Sequence, residues 1–366
     1  MNEMQPKPLQ ILISPLDWGL GHASRCIPII RLFLEAGHIV TLAGSGRSLL
    51  LLQKEFPSLV SIELNGFSPK FKYSDYLAIQ LIWKLPEFIS KIIKENRELK
   101  KLIKRFKFDL IISDNRYGLW NKNVKSIIIT HQVMIKAPAF LRFAEYPLYL
   151  VSKFLINQFA ECWIPDHKEP PGLSGDLSHK YPLPANAIFI GPLSRFSSPV
   201  FIKSQRKAIA GITTIISGTE PQRSDFENLI LKQFAGLDIR TTIISGKPES
   251  MEKARDEGNI TILPYATVEE TRTLIEESSL IICRSGYSSI MDMEALGAKA
   301  LLVPTPGQTE QQYLAVLHQK NNKALWRKQN ELNLKNDIAE ALKCNGFTKN
   351  AANQGLKVLL DRIAKK

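Results

Sequence analysis

Two segments of this chain place a histidine and a carboxylate where a proton could be moved. The first is Asp17-Trp18-Gly19-Leu20-Gly21-His22, just after a short apolar run at residues 11–14. Its glycines let the backbone turn tightly and bring N–H groups close to a ligand. The imidazole of His22 can accept a proton near neutral pH. The second segment is Ile112-Ser113-Asp114-Asn115-Arg116, in which Asp114 follows an apolar run. A carboxylate at the C-terminal end of a parallel strand lies where ligands bind in open α/β sheets. If the two run ends adjoin, Asp114 would hydrogen-bond His22, fix its tautomer and stabilise the imidazolium. His131, in Thr130-His131-Gln132 after the next run, is a candidate on the acceptor side, together with Gly19 and Gly21. Taken singly, each of these side chains is equally compatible with a helix cap or a packed position.

Three further segments suit anions and sugars. Ser217-Gly218-Thr219-Glu220-Pro221-Gln222 sets small hydroxyl residues and a glycine before a helical pattern, which makes an anion-accepting helix start or an ordinary cap with proline in the first turn. In Cys283-Arg284-Ser285-Gly286-Tyr287, Ser285 and Gly286 open a helix. Its dipole and the charge of Arg284 both favour a phosphate there. Asp292, further along that helix, is placed to accept from ribose hydroxyls. Asp292 and Glu294 stand two residues apart and so do not share a face. No D-x-D dyad occurs in the chain, and no metal site is expected. Finally, residues 303–313 form a Pro/Gly loop followed by Gln311 and Gln312, whose amides can donate to and accept from sugar hydroxyls. NAD is disfavoured. The third small position of G-x-G-x-x-G falls on Ser24, and Ala43-Gly44-Ser45 replaces the acidic residue expected after the second strand.

These motifs need strands to end beside them and helices to begin. The spacing predicts strands at 11–14, 38–43, 108–112, 126–130, 212–216, 240–245, 260–263, 280–283 and 299–303, with helices at 23–36, 268–277, 287–296 and 310–319 between them. Alternation of this kind implies right-handed crossovers and parallel sheets. The pattern restarts after Gly191-Pro192, and the Pro/Ser-rich stretch 192–210 is the expected linker. The organisation is α/β, in two Rossmann-like parallel-sheet domains facing across a cleft: residues 1–195, residues 196–348, and a C-terminal helix at 349–366 that packs back toward the first domain.

Composition agrees: 366 residues suit two cores, and 44% hydrophobic with 23% charged residues is a globular balance. The four cysteines are far apart and are expected to be reduced and buried. No stretch reaches the roughly 20 apolar residues needed to span a bilayer. The expected location is cytoplasmic, peripheral on the inner face of a membrane. The formal charge of +13 favours an anionic partner. Residues 77–108 should form a long helix with one basic face, and residues 134–159 are rich in Phe, Leu and Tyr. Either packs as an ordinary core-facing helix or rests on anionic lipid. Nucleic acid is not expected, since no stacking platform accompanies the basic residues.

The Gly-x-Gly-His loop, the Cys-Arg-Ser-Gly helix start and the Pro-loop-Gln-Gln-Tyr element together resemble the two-domain GT-B glycosyltransferases. Within them they are similar to the family containing the peptidoglycan N-acetylglucosaminyltransferase that forms lipid II. The resemblance spans residues 9–325, strongest over 260–313 and thin over 61–187. It implies a second domain that binds a nucleotide sugar, a UDP-sugar, as co-substrate without metal or cofactor. It implies that Leu263, Pro264 and Tyr265 contact the uracil. Thr219, Ser285 and Gly286 would contact the diphosphate, Asp292 the ribose in place of the family's Glu, and Gln311 and Gln312 the donor sugar. It sets His22 near the reacting groups, with His22–Asp114 similar to the base dyad of the plant-type inverting enzymes. Pro221 replaces a glycine of the family pattern, and the acceptor segments share little. The expected activity is hexosyl transfer to an acceptor hydroxyl, with inversion; a lipid-linked or cell-envelope glycan precursor would be the acceptor. The alternatives are a sugar-nucleotide epimerase or hydrolase of the same fold, and a non-catalytic sugar-nucleotide-binding or membrane-scaffold subunit.

Overall fold

In the computed structural model, the residues described are 7–66, 85–197 and 211–349, with Leu359 and Arg362 beyond them. Two sheets of seven strands each organise the described residues. The first holds β1 (Gln10–Pro15), β2 (Ile39–Gly44), β3 (Val60–Glu63), β4 (Leu110–Asp114), β5 (Lys125–Ile129), β6 (Glu161–Ile164) and β7 (Ala187–Phe189), in the order β3-β2-β1-β4-β5-β6-β7. Every neighbouring pair is parallel. The second holds β8 (Gly211–Ile215), β9 (Thr241–Ile244), β10 (Arg255–Glu257), β11 (Ile260–Leu263), β12 (Ser278–Cys283), β13 (Ala300–Leu302) and β14 (Ala324–Trp326), in the order β10-β11-β9-β8-β12-β13-β14. Only the exposed edge strand β10 is antiparallel to its neighbour. The central strands are continuous apolar runs because helices cover both faces of such sheets; Ile11, Leu12, Ile13, Ile111 and Ile112 are all fully buried.

The helices of the first half are α1 (Leu20–Glu35), α2 (Gly46–Glu55), α3 (Leu85–Phe106), α4 (Glu145–Ile156) and the single turn α5 (Asp176–His179). Those of the second are α6 (Gln222–Phe234), α7 (Val268–Glu277), α8 (Tyr287–Leu296), α9 (Thr309–Lys320) and α10 (Leu334–Ala341). α7 starts where the sequence caps it: Thr267 accepts from the Glu270 N–H while the Glu270 side chain accepts from the Thr267 N–H.

Each half has one point where the chain reverses direction across its sheet. It runs β1, β2, β3 to one side and then crosses back to β4, which lies on the other side of β1; β8 and β12 repeat this in the second half. Loops leave such a pair of strands in opposite directions and open a crevice at their C-terminal ends. The two crevices face each other. A Cβ placed on Gly19 would stand 3.9 Å from the Gly218 Cα, and one on Gly21 would stand 3.1 Å from the Ser288 Oγ. α1 packs on α8, and a single apolar cluster containing Ile27, Ile30, Tyr287, Ile290 and Met291 runs through both halves.

Several elements differ from expectation. α1 begins at Leu20 rather than at residue 23, which draws Gly21 and His22 into its first turn. The expected 77–108 helix is observed as Leu85–Phe106, and residues 77–84 lie outside the described part. The apolar segment 134–159 splits into a 3-10 turn, Ala139–Ala144, and α4. β3, β6, β7, β10 and β14 had no distinct signal. They run three or four residues, too few to display an alternation. Most of the expected linker, and of the final helix, falls outside the described residues. Arg362 nevertheless pairs with Glu161 of β6 at 3.1 Å. All four cysteines are free and buried.

Candidate active site

β1 and β4 are neighbours, and their ends bring His22 and Asp114 together. The His22 Nδ1 lies 3.0 Å from the Asp114 Oδ1. Asp114 is fully buried, whereas the His22 side chain keeps 15% exposure. The His22 Nε2 has no hydrogen-bond partner among the described residues. Burial alone would raise the Asp114 carboxyl, but the charges of Arg25 and His22 outweigh it and hold the group well below the ordinary carboxylate range. Arg25 was not singled out in the sequence. It stands one helical turn after His22, is 1% exposed, and grips Asp114 through both oxygens, with Nε at 2.5 Å from Oδ2 and Nη2 on Oδ1.

His131 does reach this centre, but its side chain is engaged. Its Nδ1 lies 3.2 Å from the Arg25 Nη1, and its Nε2 lies 2.7 Å from the Glu310 Oε1 at the start of α9. Gln132 also donates to Glu310. The ring stacks on Tyr287, with centroids 4.0 Å apart and planes within 4°. Burial pushes the His131 imidazole below its usual value despite Glu310. Glu310 carries no mark in the sequence because its partners, His131 and Gln132, come from the other half of the chain.

Across the crevice, α8 begins at Gly286 with no side-chain cap, so the N–H groups of its first turn are left for another acceptor. A Cβ on Gly286 or on Gly218 would meet nothing within 4 Å. Open space therefore lies above the ends of β8 and β12. Thr219 is exposed in this region. Ser285 is fully buried and donates to the Gln311 carbonyl at 2.8 Å.

Three of the residues expected at the donor in the second half are engaged by protein partners. Arg284 is one of them. Its guanidinium donates to the carbonyls of Val303, Pro304 and Gln222 and lies 4.0 Å over the Phe226 ring, where it ties three loops of the second sheet together. Asp292 is 5% exposed and already engaged, accepting from the Ser194 Oγ at 2.6 Å and the Arg195 Nε at 3.0 Å. Burial pushes its carboxyl up even with Arg195 beside it. Its present partners are thus the segment leaving the first half. Gln311 caps its own loop, accepting from the Thr305 N–H and donating to Gln308, whereas Gln312 is exposed. Leu263 and Pro264 are buried. Tyr265 is part-buried and donates to Glu55 of α2 at 2.9 Å. Among the described residues, no three His, Cys, Asp or Glu side chains are grouped as metal ligands.

Comparison with known proteins fits this geometry. Residues 214–363 match the model of the glycosyltransferase family 28 C-terminal domain, and the two facing sheets are those of GT-B glycosyltransferases. The protein is a glycosyltransferase. An "uncharacterized glycosyltransferase" of Methanosarcina acetivorans is 26% identical over 326 residues, covering 83% of this chain and 82% of the relative. The UDP-N-acetylglucosamine–N-acetylmuramyl-(pentapeptide) pyrophosphoryl-undecaprenol N-acetylglucosamine transferase of Lactobacillus johnsonii is 22% identical over 305 residues, covering 76% and 73%. Among solved structures, the glycotransferase of kitacinnamycin superposes with a TM-score of 0.62 at 16% identity, covering 98% of this chain and 95% of that one.

Proposed function

We propose that the protein transfers a hexosyl group from a UDP-sugar to an acceptor hydroxyl, with inversion and with His22 as the base. The observation that carries this reading is the opposition of two features. The His22–Asp114 pair ends β1 and β4, and the uncapped N-terminus of α8 borders the open space beside β8 and β12. The acceptor O–H gives its proton to the His22 Nε2, and the oxygen bonds to the anomeric carbon. The carbon–oxygen bond to the diphosphate breaks, and UDP leaves with the bonding pair. Asp114 stabilises the imidazolium so formed. The N–H groups of α8 meet the growing negative charge with dipoles already in place. Thr219 and the backbone at Ser285 and Gly286 serve the diphosphate side and Gln312 the sugar side, the Ser285 hydroxyl being held by the Gln311 carbonyl. For Asp292 to hold the ribose, it must exchange Ser194 and Arg195 for ligand hydroxyls.

A lipid-linked acceptor is the second part of the reading. The named donor and polyprenol-linked acceptor of the Lactobacillus relative point that way. So does the surface leading away from His131. Ile135, Phe140, Phe143, Tyr146, Leu150 and Phe154 are all exposed, Phe143 to 77% and Phe154 to 66%, with Arg142 and Lys153 among them. Exposed apolar side chains mixed with cations suit an anionic interface. No described helix is long and apolar enough to cross a membrane.

The test is turnover of a UDP-sugar panel by wild type and His22→Ala, with thermal shift on the same panel to read binding separately. The substitution is expected to reduce transfer by about 10²–10⁴-fold and to leave the thermal shift intact. Wild-type rates in His22→Ala remove the base assignment.

A further inference from the structure

Arg25 touches more of the reacting centre than any other side chain, and the proposed mechanism gives it no task. Its guanidinium meets both oxygens of Asp114, the His22 Nδ1 at 2.9 Å and the His131 Nδ1 at 3.2 Å. A guanidinium only donates. The His131 Nδ1 facing it must therefore be the bare nitrogen, and the proton of that ring sits on Nε2, donated to Glu310 at 2.7 Å. A continuous line results: His22, Asp114 and Arg25 in the first half, His131 beside them, and Glu310 in the second half. The His22 Nδ1 stands between Asp114, which accepts, and Arg25, which donates. Only one of the two can be satisfied at a time. A proton on Nδ1, held by Asp114, leaves Nε2 bare and able to take a proton from the acceptor. A bare Nδ1 facing Arg25 puts the proton on Nε2 and disables the base.

We propose that Arg25 is a positioning residue that selects the working tautomer of His22 and couples it to closure of the two halves through His131 and Glu310. With the halves together, His131 holds Nη1 and anchors the guanidinium on Asp114, with Nη2 standing 2.9 Å from the His22 Nδ1, and in this arrangement Asp114 accepts the His22 Nδ1 proton. Without Glu310, the His131 ring loses the acceptor of its Nε2 proton and no longer presents a bare Nδ1 to Arg25. Freed from His131 at Nη1, the guanidinium can tilt on Asp114 and commit an Nη2 hydrogen to the His22 Nδ1, from which Nη2 already stands 2.9 Å. Glu310, from the nucleotide-sugar half, thus reports its presence to the base.

The inference rests on His22 being the base, and its test is read without any substrate. Full-length protein labelled with 15N-histidine is observed through the two-bond couplings of its rings at pH 7.5. In wild type, His131 is expected with a bare Nδ1 and a protonated Nε2, and His22 with a protonated Nδ1. In Glu310→Ala, which leaves the Arg25–Asp114 pair whole, the His22 signals should move toward the opposite tautomer. Arg25→Met strips the buried Asp114 of its partner and risks unfolding, so Arg25→Lys is the companion variant. An ammonium can hold Asp114 but cannot span it and both rings, so His131 should lose its single tautomer while the protein stays folded. A protonated Nδ1 on His131 in wild type overturns the proposal, as do unchanged His22 signals in Glu310→Ala. A purely structural Arg25 would lower the melting temperature of Arg25→Lys and leave both tautomers as they are. Turnover adds a separate arm: kcat of Glu310→Ala should fall about tenfold or more, with donor KM within twofold. Loss of turnover in His22→Ala tests the base itself, so the failure of either idea is read by its own measurement.

Discussion

A carboxylate with no exposure beside a guanidinium with 1% exposure is stable only as a pair, because either charge left alone in the interior is costly. Asp114→Asn leaves Arg25 buried without its counter-charge and should cost about 3–5 kcal/mol at pH 7. The Asp114 carboxyl titrates lower in the folded chain than the ordinary value of about 3.9 in an unfolded one. Its contribution is therefore complete above that value and is lost as the pH falls below it. The melting-temperature gap between wild type and Asp114→Asn should be widest near neutrality and narrow below about pH 4; a constant gap down to pH 3 would contradict the pairing. At this scale the sequence was legible wherever chemistry and position coincide. His22 and Asp114 stood out because a glycine loop and an apolar strand end flank them. Arg284 was ambiguous, because its type suits an anion as well as it suits three carbonyls, and only the approach of residues 222, 303 and 304 shows its protein partners. Asp292 carries the same lesson, since Ser194 and Arg195 lie almost a hundred positions away.

The elements that matter most are the first turns of α1 and α8, which nearly touch. Gly286 has φ −68° and ψ 144°, a conformation open to any residue, and a Cβ there enters empty space. Gly286→Ala should keep stability within about 1 kcal/mol. Its methyl group should intrude on the diphosphate and raise donor KM about tenfold, equivalent to about 1.4 kcal/mol of binding. An unchanged KM would move the diphosphate elsewhere. Gly21→Ala behaves differently, because its Cβ would stand 3.1 Å from the Ser288 Oγ and 3.3 Å from the Ser288 Cβ. It wedges α1 from α8, so kcat should suffer while donor affinity, measured by titration, holds. The strands behind these turns were legible as unbroken apolar runs, and the capping box of α7 as Thr267 and Glu270. β6 was not, because Glu161–Ile164 lies at the end of an apolar segment whose texture suits a helix equally well. α1 began early because Leu20, Gly21 and His22 carry no sequence mark that separates loop from first turn.

For the whole molecule, the +13 charge and the exposed apolar face of residues 135–154 predict binding to vesicles rich in anionic lipid and release by salt. Phe143→Asp with Phe154→Asp places two anions on that face at positions buried in neither half. The double variant should keep its melting temperature and lose most of its flotation with vesicles at low salt. Equal flotation would shift the attraction to charge alone. The chain passes from the first sheet to the second between Phe189 and Gly211. Near its far end, the Phe347 N–H is held by the Ala298 carbonyl of the second half, and Arg362 pairs with Glu161 of the first. That ion pair ties the far end of the chain to the first sheet, so Arg362→Ala should loosen this end while both cores keep their melting temperature.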